Sequence, residues 1–225
     1  MEPATAMQGT AVVICDTWDI CWGRGANERL AVLAPRVNAF VAEMRSRGAL
    51  IVHAPSDVVA VYAGSPARRR IVEAPHTAPP TAPIWYWTPL DPPLPIDDSD
   101  GGSDTGETTP EQPWTRQHPA IVIDDERDVI SEEGPEIYGY LRHREIEKIY
   151  LVGVHANMCI LRRSFGIRNL RTWDLDVTLV GDLTDSMYNP AMPPFVSHER
   201  GTELVLEYIA EHWCPVTTSA AVLAT

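Results

Sequence analysis

The sequence predicts a doubly wound, three-layer α/β/α fold built on a mostly parallel sheet of about six strands. Short apolar runs rich in β-branched residues alternate along the chain with segments whose apolar residues recur at helical spacing. The first run, at residues 11–15, is followed by a helical segment and then by a second run at residues 49–53. A strand, a helix and a strand in this order indicate a parallel βαβ unit.

The same pattern places the remaining elements. Asn27 is a candidate N-cap for the first helix, and Gly48 ends that helix because glycine adopts the left-handed conformation that closes a helix. We expect one domain over residues 1–225, since this is an ordinary length for a single α/β domain. Later strands are predicted at residues 120–123, 149–152, 176–180 and 215–223, and later helices at residues 135–144, 157–170 and 201–213.

A long irregular insertion interrupts the alternation at about residues 58–119. Prolines crowd around Trp85, Tyr86 and Trp87, and an acidic, glycine-containing run follows at residues 96–106. Because compact domains seldom carry so long a loop without a use, we expect a lid or an arm that packs on a neighbour through its aromatic residues. The acidic run is similar in order to a calcium loop, but it lacks the EF-hand spacing and the closing glutamate, which favours a solvated loop.

The composition argues against several classes of partner. A net charge of -13 leaves no basic face for phosphates or for an anionic membrane, so we expect neither nucleic acid nor membrane as a partner. No GxGxxG motif follows the first strand and no GxxxxGK[ST] motif occurs, which disfavours dinucleotide and P-loop nucleotide binding. No apolar run is long enough to span a bilayer, no signal peptide is visible, and the 4 cysteines form no CxxC pair. These features predict a cytoplasmic protein with reduced thiols.

Candidate catalytic residues follow two of the predicted strands. Asp16 follows the strand at residues 11–15, and Cys159 follows the strand at residues 149–152, at the start of a predicted helix. Because the carboxyl ends of parallel strands share one edge of the sheet, we expect Asp16 and Cys159 to lie close together. A helix N-terminus can activate a thiol and hold an oxyanion, which favours Cys159 as nucleophile and Asp16 as its base. The alternatives are a small buried cysteine in the core and a carboxylate that caps a loop.

Three sequence motifs carry a resemblance to a known family. VVICD at residues 12–16, LVGVHANMCIL at residues 151–161 and VTLVGDLTDS at residues 177–186 resemble the corresponding segments of the isochorismatase-like cysteine hydrolases, which include nicotinamidases. The resemblance covers nearly the whole chain except the insertion. It implies the isochorismatase-like α/β fold, a small-molecule substrate and a homo-oligomer.

The resemblance also implies a mechanism. Asp16 would deprotonate Cys159, and the thiolate would attack an amide carbonyl, expel ammonia or an amine, and be freed by water from the resulting thioester. The backbone N–H groups of His155 and Cys159 would hold the oxyanion, next to a non-proline cis peptide at residues 154–155. A vinyl-ether hydrolase of the isochorismatase type is disfavoured, because such enzymes act without a cysteine nucleophile.

One departure from the family pattern concerns the third catalytic position. The family has a lysine after the third strand, where this chain has Glu132. A carboxylate would raise the pKa of the Cys159 thiol rather than lower it. Three interpretations follow: Arg116 or His118 supplies the positive charge, Glu132 binds a cation or a substrate amine, or the protein binds a small ligand without hydrolysing it.

The remaining expectations concern metal and substrate binding. The mechanism requires no cofactor, although the family's nicotinamidases hold a divalent metal near the second strand. His53 and Asp57 are the candidate ligands here, without the usual D-x-H order, and His118, His155 and His198 could complete such a site. The residues expected to bind substrate are Trp18, Trp22, His118 and Asn157, although tryptophan is equally at home in a core.

Overall fold

The computed structural model describes residues 7–108 and 111–224 and confirms the predicted fold class. The strands in this part of the chain are β1 (Thr10–Cys15), β2 (Leu50–Ala54), β3 (Val129–Ile130), β4 (Lys148–Val154), β5 (Asp176–Asp185) and β6 (Val216–Thr217). They form a 6-stranded sheet in the order β3-β2-β1-β4-β5-β6, and each neighbouring pair is parallel. The α-helices are α1 (Arg24–Ser46), α2 (Pro66–Val72), α3 (Gly134–His143), α4 (Cys159–Arg162), α5 (Ile167–Thr172), α6 (His198–His212) and α7 (Ser219–Leu223), and a short 3-10 helix spans Val59–Tyr62.

Helices cover both faces of the sheet and so produce three layers. Alternate side chains of β1 point to opposite faces, so that Val13 and Cys15 join one core while Val12 and Ile14 join the other. Helices α1 and α7 pack on the second core, and α2 to α6 pack on the first. A strand buried on both faces has a continuous apolar sequence, which is why the pattern identified β1. Within the described residues, no helix has both the length and the apolar character needed to cross a bilayer.

The third strand lies later in the chain than the sequence predicted. Residues 120–123 form an irregular turn, in which the Val122 N–H bonds to the Asn38 side chain at 2.9 Å. The strand is Val129–Ile130 instead, where both residues are fully buried and pair with β2. The prediction was wrong because an apolar run does not reveal which group its backbone N–H groups will bond to. Here a side chain of α1, and not a neighbouring strand, is the partner.

The helix predicted at residues 157–170 is divided into α4 and α5. Arg163 leaves the helical conformation with φ of -57° and ψ of 158°, and the Gly166 N–H then bonds to the Arg163 carbonyl at 2.8 Å. The Asn169 side chain also donates to this carbonyl, at 3.0 Å. The break matters because it directs the side chain of Arg163 back toward the end of β1.

Three other element ends differ from the prediction. Asn27 lies inside α1 rather than at its N-cap, and its side chain instead closes the preceding turn by accepting the Cys21 N–H at 2.6 Å. Helix α6 begins at His198, where the Ser197 hydroxyl accepts the Arg200 N–H. The strand predicted at residues 215–223 is β6 followed by α7.

The described part of the insertion is folded against its own domain. The Arg168 guanidinium donates to the carbonyls of Thr88 (2.8 Å) and Trp85 (2.9 Å), which fixes the aromatic stretch beside α5. Asp98 accepts a hydrogen bond from the Asn157 amide at 2.8 Å. These bonds make the insertion a cover on the carboxyl edge of the sheet.

A buried ionic group holds the outer part of the sheet. The Asp128 carboxylate accepts two hydrogen bonds from Arg45, the shorter at 2.6 Å, and lies 3.0 Å from His53 Nε2. Burial alone would raise the pKa of Asp128, but its bonds to His53 and Arg45 hold that pKa below the ordinary value. Since Asp128 directly precedes β3, these bonds position that strand.

We predict that Asp128→Asn lowers the free energy of unfolding by about 3 kcal/mol, because it leaves the buried Arg45 without its counter-ion. Urea unfolding at neutral pH measures this. Because the folded-state pKa of Asp128 is depressed, the carboxylate's contribution is complete above its unfolded pKa and is lost as the pH falls through the folded value. The control is Asp176→Asn, which removes an exposed pair with Lys148 and should cost less than about 0.5 kcal/mol. Equal losses for the two variants would contradict this account.

Candidate active site

Asp16 lies directly after β1 and is fully buried. Its backbone turns out of the strand with φ of 44°, a left-handed conformation that aspartate tolerates better than most residues. One carboxylate oxygen accepts the Ser56 N–H at 2.7 Å, and the other accepts the Arg163 Nε–H at 2.8 Å. Two donors from different loops therefore fix the carboxylate at the edge of the sheet.

The end of β4 approaches β1 so closely that position 153 requires glycine. A Cβ atom at Gly153 would lie 2.0 Å from the Cys15 carbonyl oxygen, and the φ of Gly153 is 107°. The register of β4 against β5 shifts between Leu151 and Gly153. The peptide between Val154 and His155 is cis, which confirms the expectation from the resemblance. This irregular strand end leads into the turn that presents Cys159.

Cys159 begins α4 and is buried next to Asp16, as the sequence predicted. Its thiol lies close enough to the Asp16 carboxylate for that charge to affect the pKa of the thiol, and 4.0 Å from the Tyr86 hydroxyl. Burial raises the pKa of the Cys159 thiol, and the Asp16 charge raises it further, whereas the Arg163 charge opposes both effects. Such a thiol stays protonated until a base in contact takes its proton, and Asp16 is in the position to do so.

Arg163 supplies the positive charge at this site. Its guanidinium bonds to Asp16 and, at 3.0 Å, to Asp57. Burial opposes the charged form of Arg163, but Asp16 and Cys159 outweigh that effect and raise the pKa of the guanidinium. The two candidate cations from the sequence, Arg116 and His118, form no ion pair with Asp16. The Arg116 side chain is exposed, and the His118 backbone N–H donates to the Thr17 carbonyl at 2.8 Å.

Tyr86 brings the insertion into the site. Its hydroxyl faces the Cys159 sulfur, and the Arg163 guanidinium lies 5.6 Å from the centre of its ring. Burial raises the pKa of Tyr86, with a further contribution from Cys159, so the hydroxyl remains a proton donor. The aromatic stretch of the insertion thus forms one wall around the sulfur.

The turn before Cys159 leaves two backbone donors available. Ala156 donates to the Asp185 carbonyl at 2.8 Å, and Met158 donates to the His155 carbonyl at 3.0 Å. Among residues 7–108 and 111–224, the N–H groups of His155 and Cys159 have no hydrogen-bond partner. Unpaired N–H groups beside a nucleophile are suited to bind the negative charge that develops on a carbonyl oxygen.

A cleft of about 540 Å³ is lined in part by Tyr86 and Arg163, which both contact the residues described above. Glu132 lies on its wall, where its carboxylate accepts the Asp57 N–H. Glu132 stands at the position where the family has its lysine, and it forms no hydrogen bond with Asp16 or Cys159. Burial raises the pKa of Glu132, and the nearby carboxylates of Asp57 and Glu133 raise it further.

The two tryptophans expected to bind substrate, Trp18 and Trp22, lie outside the cleft lining. Trp18 is buried, donates to the Ser56 carbonyl at 2.9 Å and stacks on Trp114 with ring centres 4.3 Å apart. It ties the loop after Asp16 to the segment that follows β2. Trp22 lines a separate depression together with Arg24 and Glu107. Neither lines the cleft beside Arg163.

His118 and Asn157 also lie outside the cleft lining. Asn157 is fully buried, and its amide bonds to Asp98 and to both backbone groups of Met187, at distances from 2.8 to 3.0 Å. Asn157 therefore fastens the insertion to the loop after β5. The His118 ring nitrogen Nδ1 accepts the Ala120 N–H at 3.2 Å.

The residues do not fit the metal site that the resemblance raised. Both ring nitrogens of His53 are engaged, by Gln117 at 2.9 Å and by Asp128 at 3.0 Å, while the Asp57 carboxylate binds Arg163. In the described part of the chain, no three His, Cys, Asp or Glu side chains are grouped so that they could hold a metal ion.

The other two candidate histidines belong to a separate buried network. His198 Nε2 lies 2.9 Å from the Asp185 carboxylate, which also accepts a bond from Arg29 at 2.8 Å. Burial alone would raise the pKa of Asp185, but these partners lower it to about 2. His155 is buried beside this network, and burial lowers its pKa to about 4, so its ring is neutral at physiological pH.

The sequence analysis missed three residues of the site: Arg163, Tyr86 and Ser56. Arg163 stands 4 residues after Cys159, a spacing typical of one helix face, and nothing local shows the break that redirects it. Tyr86 was noted only as part of an aromatic stretch. Ser56 had one available signal, which was its place in the segment directly after the second strand.

We predict that Arg163→Leu raises the pKa of the Cys159 thiol and slows its alkylation by iodoacetamide roughly tenfold at about pH 8. The reason is that the opposing cation is lost while burial and Asp16 still disfavour the thiolate. The measurement is the pH dependence of alkylation at Cys159, read by peptide mass spectrometry.

Two variants serve as controls for this prediction. Arg163→Lys retains the charge and should restore most of the alkylation rate. Arg162→Leu removes the neighbouring guanidinium, which donates to the Thr88 carbonyl, and should change the rate less than about twofold. An unchanged pH profile in Arg163→Leu would show that Arg163 does not tune the thiol.

Comparison with known proteins supports the fold. Neither a protein-family model nor a curated protein matches the sequence. Among solved structures, a cysteine hydrolase from Pseudomonas syringae pv. phaseolicola matches with 19% identity and a TM-score of 0.61, over 100% of this chain and 94% of that chain. An isochorismatase family protein from Desulfovibrio vulgaris matches with 16% identity and a TM-score of 0.58, over 97% and 100%. An isochorismatase-like hydrolase from Alkaliphilus metalliredigens matches with 16% identity and a TM-score of 0.53, over 97% and 96%. The chain therefore has the fold of the isochorismatase-like and cysteine hydrolases.

Proposed function

We propose that this protein is a cysteine hydrolase that cleaves the C–N bond of a small amide through a thioester on Cys159. One observation carries the proposal: a buried thiol lies beside a buried carboxylate, and a guanidinium pairs with that carboxylate. Burying three ionisable groups together is costly, and a site with no chemical role would be expected to use apolar side chains instead. The fold shared with hydrolases supports the same conclusion.

The first half of the reaction forms the thioester. Asp16 takes the proton from the Cys159 sulfur, and the sulfur attacks the carbonyl carbon. The carbonyl oxygen becomes an oxyanion and accepts hydrogen bonds from the backbone N–H groups of His155 and Cys159. The intermediate collapses as the C–N bond breaks, and Asp16 returns its proton to the leaving nitrogen.

The second half releases the acid. Asp16 accepts a proton from a water molecule that attacks the thioester carbonyl. The C–S bond then breaks, and the proton returns from Asp16 to the sulfur as the carboxylic acid departs. Tyr86 donates its hydroxyl proton in a hydrogen bond to the sulfur whenever the sulfur carries negative charge, and Arg163 balances the charge of Asp16 throughout.

The alternative function, ligand binding without turnover, rested on the exchange of lysine for Glu132. The lysine is not needed for a positive charge at the site, because Arg163, in the turn after α4, forms an ion pair with Asp16. Glu132 lies on the cleft wall and leaves the pair of Asp16 and Cys159 undisturbed. The residues present are therefore consistent with hydrolysis.

We predict that the wild-type protein releases ammonia or an amine from at least one member of a panel of small amides. Cys159→Ala and Asp16→Asn should each lower kcat/KM at least about a thousandfold, because nucleophile and base act as a unit. Coupled ammonia detection and mass spectrometry of the acid product measure the activity.

The matched control is Cys214→Ala, which removes another buried cysteine that follows α6. It should retain activity within a few fold. Amide hydrolysis that survives Cys159→Ala would overturn the covalent mechanism.

A further inference from the structure

The cleft that Tyr86 and Arg163 line also contains carboxylates without an ion-pair partner. Glu132 and Glu133 both line it, and neither forms an ion pair with another described residue. The nearest cation, Arg163, is committed to Asp16 and Asp57. Arg162 also lines the cleft, and its guanidinium donates to the Thr88 carbonyl. The lining thus has three carboxylates (Asp57, Glu132 and Glu133) and two guanidiniums (Arg162 and Arg163), and its net charge is negative.

A second observation independently indicates a ligand. Ser56 lines the same cleft and is only 3% exposed, yet its hydroxyl has no hydrogen-bond partner in the described structure. The rest of Ser56 is held firmly, since its N–H donates to Asp16 and its carbonyl accepts the Trp18 indole N–H. A buried hydroxyl without a partner is costly. Its cost is explained if a bound molecule supplies the missing bond beside the catalytic base.

An exposed aromatic side chain in the same lining also suits a positively charged group. Trp85 is 69% exposed and stands next to Tyr86 in the cleft lining. Aromatic faces next to carboxylates attract ammonium groups through both cation–π and ionic interactions. The volume of about 540 Å³ falls within the ordinary range for small-molecule sites.

We infer that the cleft binds a small amide that carries a positively charged amino group at a distance from the scissile carbonyl. Glu132 binds the ammonium, and the Ser56 hydroxyl bonds to a polar atom near the carbonyl. Glu132 is therefore a specificity-determining residue. This inference rests on the proposed function, because it names the substrate class of the same site.

The kinetic test compares two amides of equal length, an ω-amino alkanamide and the alkanamide with a methyl group in place of the ammonium. The wild type should prefer the amino compound in kcat/KM. In Glu132→Gln, which retains an acceptor for the Asp57 N–H, the ratio of the two kcat/KM values should fall at least roughly tenfold. The control Glu126→Gln, an exposed carboxylate outside the cleft lining, should leave the ratio unchanged.

A binding test separates this inference from the proposed function. Titration calorimetry with Cys159→Ala should show tighter binding of the amino compound than of its methyl analogue, and Glu132→Gln in that background should abolish the difference. Ser56→Ala in that background should weaken the binding of both compounds by a similar factor. Equal binding of the two compounds would overturn the inference even if amides are hydrolysed, whereas discrimination without turnover in the wild type would overturn the proposed function alone.

Discussion

The ion pair between Arg163 and Asp16 is the interaction on which the rest of the site depends. Asp16 is fully buried, and a buried carboxylate requires donors to remain charged. Arg163 reaches it because the chain leaves the helical conformation between α4 and α5, and the same guanidinium also binds Asp57 after β2 and faces the Tyr86 ring from the insertion. One side chain in the turn after α4 therefore contacts the end of β1, the segment after β2 and the insertion. The result is a buried thiol beside a fixed, buried carboxylate.

Most of the sheet could be predicted because its central strands are buried on both faces. Such strands are continuous apolar runs, so β1, β2, β4 and β5 were visible without knowledge of their neighbours. The third strand was misplaced because its position depends on distant side chains: Asn38 captures the Val122 N–H, and Asp128 is anchored by Arg45. Neither contact leaves a local signal.

The two central residues of the site could also be predicted, because parallel strands end at one edge. The residues that tune Cys159 could not be predicted. The expected position for a positive charge holds Glu132, and the charge comes instead from a residue that helical periodicity assigned to the middle of a helix. Tyr86 and Ser56 depend on how the insertion folds over the edge, which composition does not determine. Trp18 and Asn157, which the sequence offered as substrate-binding residues, form hydrogen bonds to Ser56 and to Asp98 of the insertion.

The central claim, a thioester on Cys159, is tested most directly by partitioning between water and hydroxylamine. An amide and an ester with the same acyl group are each hydrolysed in the presence of hydroxylamine, and the ratio of hydroxamate to acid is measured. If both substrates pass through the same acyl group on Cys159, the ratio is identical for the two at every hydroxylamine concentration, and Cys159→Ala forms neither product. Ratios that differ between amide and ester, or hydroxamate formation that persists in Cys159→Ala, would contradict the account.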